Sequence, residues 1–166
     1  MTVRDTQRSK VYAAEEFVRA LFDRAGEHGN RVVEFFGAQL TLPPEARFAS
    51  TETVQRYVDD VLDMAAVYER WPGRGPLAVR ARRGVTAAHY ERTDDVAGVA
   101  VPDGRTRWAL RELVVLHEIA HHLCPVEPAH GGEFVSAFCE LAETVMGPEV
   151  GHVLRVVYAK EGVRLR

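Results

Sequence analysis

The stretch Leu113-Val114-Val115-Leu116-His117-Glu118-Ile119-Ala120-His121-His122-Leu123 constrains the fold of this chain more than any other. Its pattern is strongly helical. Histidines four residues apart lie on one face of a helix, separated by about 6 Å of rise. The face that carries His117 and His121 also carries Leu110, Leu113 and Val114, so the two imidazoles point toward the interior, where an unsatisfied polar pair is costly. A fold that buries this helix must satisfy both rings, and one zinc ion held between them does so.

The run contains HExxH. Glu118 is rotated about 100° from His117 and stands outside the ligand pair. It is placed to reach a water held by the ion and to act as general base, while zinc lowers the pKa of that water and polarises a scissile carbonyl. The bland alternative is a pair of surface histidines beside a capping or salt-bridging glutamate.

A catalytic zinc needs a third protein ligand. His130 is the best candidate, opening His130-Gly131-Gly132-Glu133-Phe134 just before a helix with an inward stripe of Phe134, Ala137, Phe138, Leu141 and Val145. Extending that register backward puts His130 within about 40° of Phe134. Residues 124–129, with Pro125 and Pro128, give the chain room to turn, so two helices are expected to converge on one ion. Glu140 competes, nineteen residues after His121, but lies about 120° from Phe134, at the flank of the stripe. Cys124 reads as a small core residue. Glu133, Glu127 and His122 read as exposed groups or as partners of a liganding imidazole.

The chain is 166 residues long, the size of one domain, and its 46% hydrophobic and 27% charged residues are those of a globular protein with a real core. A single domain over residues 1–166 is expected. Helical periodicity covers residues 9–27 and 51–68, the latter capped by Ser50 or Thr51 with Val54, Tyr57, Val58, Val61, Leu62 and Ala65 inward. Residues 31–42 fit a strand or a helix equally well. After the turn-rich residues 71–76, short β-like runs at 77–82, 85–91 and 96–101 suggest an antiparallel meander. Helices are expected again at 106–123, 131–146 and 148–160. The order of elements predicts an α+β fold, a small antiparallel or mixed sheet packed against the HExxH helix with additional helices.

At these residues the sequence resembles the minimal zincins of the SprT-like and Spartan type, in which HExxH is followed by a short loop and a third histidine in an HGxxF pattern. The string from Ala87, His89, Tyr90 and Glu91 through Val99-Ala100-Val101-Pro102, then Trp108 and HEIAHH, is similar to an actinobacterial group of HExxH metallopeptidases without a settled substrate. The first resemblance covers about residues 77–146. It implies a zincin core and peptidase chemistry, with His117, His121 and His130 as zinc ligands and Glu118 as base. The chain departs from Spartan in lacking an appended DNA-binding or zinc-ribbon segment, so repair of DNA-protein crosslinks is not implied.

The expected partner is a peptide or protein substrate, and residues 96–101 are the candidate edge strand for pairing with it. The developing oxyanion needs a donor, for which Tyr90, His152, Arg155 and Tyr158 are candidates. Two rival readings are a metal-dependent endoribonuclease with three histidines, disfavoured by Glu118, and a non-catalytic interaction domain stabilised by zinc. Peptide deformylase chemistry is disfavoured because no cysteine precedes His117. A net charge of −3 speaks against a general nucleic-acid binder. Arg70, Arg74, Arg80, Arg82, Arg83 and Arg92 form a local basic cluster, read as a solvated face, with a contact for an acidic substrate or for nucleic acid as the alternative. Charges interrupt every apolar stretch near the N-terminus, so neither a signal peptide nor a membrane span is expected. Two cysteines, Cys124 and Cys139, make no disulfide framework, and a cytoplasmic location is expected.

Overall fold

The computed structural model describes residues 2–82, 88–93, 96–102 and 110–166. Its elements run α1 (Arg8–Glu27), β1 (Val32–Phe35), β2 (Ala38–Thr41), α2 (Thr51–Asp63), α3 (Ala65–Arg70), β3 (Ala78–Arg82), β4 (His89–Thr93), β5 (Val96–Pro102), α4 (Glu112–Leu123), α5 (Gly132–Met146) and α6 (Pro148–Lys160). The architecture is mixed α+β. Two compact units make it up, Met1–Glu45 with Pro125–Arg166, and Ala46–Cys124.

In the first unit, α1 buries Val11, Ala14, Val18, Leu21 and Phe22, spaced by three and four residues, and packs with α6. Helices α5 and α6 pack together across a sharp junction at Gly147, whose φ of 111° suits glycine, followed by Pro148 in the first turn of α6. Residues 31–42, which periodicity left open, form a hairpin. Phe36 and Gly37 both take positive φ, 45° and 83°, as a tight two-residue turn between right-twisted strands requires. Phe35 and Leu42 are buried.

The second unit carries a three-stranded sheet in the order β3-β5-β4. The antiparallel meander expected from sequence is not what forms: β5 runs parallel to β3 and antiparallel to β4, between the two. Residues 96–101 are therefore central rather than an edge, and Val99, Ala100 and Val101 are fully buried. The apolar run reflects burial of a central strand. The expected 85–91 strand is found as β4, residues 83–87 lying outside the described part. The outer edge of β3 is met by a side chain, since the Val79 N–H donates to Gln55 Oε1 at 2.7 Å and Gln55 Nε2 donates to Leu77 O at 3.0 Å.

The helix expected over 51–68 is broken at Met64, which turns extended (ψ 128°) while its carbonyl accepts from Val67 and Tyr68 to start α3. The change of direction buries Val67 and leaves Ala65 exposed. Ser50 caps α2 in a reciprocal box with Thr53, accepting from the Thr53 N–H at 3.3 Å while the Ser50 N–H donates to Thr53 Oγ1 at 3.2 Å. Ser50→Ala removes this cap and is expected to cost about 1 kcal/mol, a fall of about 2–4 °C in melting temperature read by circular dichroism.

Helix α4 starts at Glu112 rather than near residue 106, and residues 103–109, Trp108 included, lie outside the described part. The preceding backbone is committed elsewhere: the Phe48 N–H donates to Leu110 O and the Glu112 N–H to Ala46 O. Glu112 accepts from the Ala46 N–H and from Tyr57 Oη, which pins the start of the helix. Among the described residues, no helix is long and apolar enough to cross a membrane.

Candidate metal centre

Helix α4 is apolar on nearly every face, the composition of a helix with no side in water, and all its residues but His121 are buried. It places His117 and His121 one turn apart with their rings edge-on and their Nε2 atoms 3.1 Å apart. Two ligand nitrogens on one tetrahedral zinc, each bonded at about 2.0–2.1 Å, stand about 3.3 Å from each other. The observed pair fits that requirement. Glu118 is 6% exposed and His117 5%, so the carboxylate sits in a nearly dry environment beside the first histidine without belonging to the pair.

Strand β4 contributes Tyr90, whose ring stacks on His121 at 6.3 Å with 20° between planes. His122, expected to be exposed or to assist a ligand, is instead buried and ties the end of α4 to the loop before β3. Its Nε2–H donates to Gly75 O at 3.0 Å, and its Nδ1 is left to accept a long 3.5 Å bond from Tyr90 Oη. Burial lowers the His122 pKa below its usual value, the Gly75 carbonyl opposing, which suits this neutral ring.

His130 belongs to the first unit, in the turn that precedes α5, and is 5% exposed. As the extended helical register predicts, its ring meets Phe134, edge-on at 5.3 Å, with Tyr12 5.2 Å away. Its Nδ1–H donates to Asp5 Oδ2 at 2.6 Å, and its carbonyl accepts from Gln7 Nε2 at 3.2 Å. Sequence reasoning missed Asp5 altogether, because a carboxylate 125 residues away in a polar N-terminal segment carries no periodic or motif signal.

The other candidates have structural employment. Tyr158 is fully buried, its pKa pushed well up by desolvation and by neighbouring Glu15. Arg155 pairs with Glu143 at 2.7 Å, and exposed His152 lies against Phe35. Of the four proposed oxyanion donors, Tyr90 is the one seen stacked on a histidine of the HExxH pair. Glu140 is half-buried on α5, Glu133 is exposed and paired with Arg166, and Glu127 is exposed. Within the basic cluster, Arg80 pairs with Glu91 and Arg70 lies over Trp71, which accounts for two of the charges on a solvated surface. Arg83 lies outside the described residues.

No protein-family model, curated protein or solved structure matches this chain.

Proposed function

We propose that the chain is a zinc-dependent hydrolase, a peptidase of minimal zincin type, with His117, His121 and His130 as metal ligands and Glu118 as general base. Each histidine offers one ring nitrogen, a donor set suited to a single metal ion. The observation that carries the reading is the Nε2 pair on a buried helix, followed directly by a buried glutamate that is not part of the pair. Zinc held by His117, His121 and His130 would supply Lewis-acid chemistry and would lower the pKa of a water for attack on the amide carbonyl. Glu118, buried directly after His117, would serve as the general base, taking a proton from the attacking water and passing it to the leaving amine. Tyr90, on the strand beside α4, would turn its O–H from the long contact with His122 Nδ1 to the oxyanion that develops on the carbonyl.

Substrate pairing moves with the sheet order. Among the described residues β4 pairs only with β5, so its outer side, rather than β5, offers backbone groups to an extended peptide. Two free thiols, Cys124 and Cys139, fit work in a reducing cytoplasm.

Metal analysis and cleavage of a mixed peptide library, run on the same samples, test the reading. About one zinc per chain with metal-dependent cleavage is expected. A chain that holds zinc but cleaves no peptide or unfolded protein would mark a structural site instead. In the same assay His130→Ala is expected to lose far more zinc than Glu140→Ala, and the reverse order would hand the third position to Glu140.

A further inference from the structure

We propose that Asp5 is a positioning residue for the metal centre, its carboxylate holding the Nδ1–H of His130 so that Nε2 is the nitrogen offered to the ion. The inference rests on the ligand set proposed above. A carboxylate only accepts, so the 2.6 Å contact from Nδ1 to Asp5 Oδ2 fixes which ring nitrogen carries the proton. The imidazole is also held in place sterically, with Tyr12 and Phe134 against it.

Asp5 is itself held. Two residues on, Gln7 uses its whole amide: Nε2 donates to His130 O at 3.2 Å and to Arg164 O at 3.3 Å, while Oε1 accepts from the Arg164 N–H at 2.6 Å. Helix α1 begins at the next residue. Residues 5–7 are thus stitched to the turn that carries His130. The second oxygen, Asp5 Oδ1, is buried and makes no hydrogen bond among the described residues, a cost that packing alone does not explain. A carboxylate on the far nitrogen of a metal-binding imidazole aims the ring and raises its basicity, and loss of such a partner commonly weakens metal binding about 10–100-fold.

The test reads tautomer and affinity, apart from activity. In metal-free protein labelled with 15N-histidine, NMR is expected to show His130 protonated at Nδ1 in the wild type. In Asp5→Ala that preference is expected to be lost, and zinc affinity, measured by chelator competition, to fall about 10–100-fold. Asp5→Asn keeps an acceptor oxygen without the charge and is expected to keep the tautomer with intermediate affinity. Wild-type tautomer and affinity in Asp5→Ala would overturn the role of Asp5 and leave the ligand set standing. A wild-type chain that binds no zinc, or whose zinc survives His130→Ala undiminished, overturns both. Should Asp5→Ala not fold, Asp5→Asn decides: wild-type affinity, or a proton on Nε2, overturns the proposal.

Discussion

Glu118→Gln is expected to retain fold and zinc while losing peptide hydrolysis by about 100-fold or more, since general-base assistance is typically worth about 10²–10⁴. The amide keeps the shape of the carboxylate and one acceptor oxygen but loses the negative charge and the ability to take a proton. Burial sharpens the comparison, because at 6% exposure little bulk water is available to substitute for the missing base. Cleavage by wild type and variant, each loaded with zinc and assayed for metal, separates the possibilities. Equal cleavage would sink the mechanism even with zinc present. A change in metal affinity with no activity to lose in either protein would point to a structural site.

His117→Ala and His121→Ala are each expected to take bound zinc from about one per chain to near zero after desalting, because each deletes half of the pair on α4. Both are also expected to abolish the stabilisation that added zinc gives the wild type in thermal unfolding, since an ion that binds only the folded chain raises its apparent stability. Full retention of zinc in both variants would refute the ligand assignment. Unchanged melting on chelation of the wild type would show that the ion, if present, is not coupled to folding.

The helices were readable because their apolar stripes repeat at three and four residues, as in α1 and α5, and the HExxH pair was readable because its spacing is itself the geometry of a helical turn. Local rules failed where long-range pairing decided. Nothing in residues 96–101 distinguishes a central strand from an edge, since the insertion of β5 between β3 and β4 depends on residues far off in the chain. The break at Met64 was invisible because the apolar pattern continues through it, with Val67 replacing Ala65 as the buried residue. Asp5 was invisible for the opposite reason: a lone acid gains meaning only when the fold carries it to His130.

Gln55 gives the sheet a preferred side of growth. By answering Leu77 and Val79 from α2 with both ends of its amide, it occupies the backbone groups where the flank of β3 begins and hinders a further strand there. Among the described residues β4 is paired on one side alone, so a guest chain of the kind proposed would join along β4, whose Tyr90 stacks on His121. On the proposed reading recruitment and chemistry would share one border, while Gln55 guards the opposite border against indiscriminate strand-to-strand adhesion.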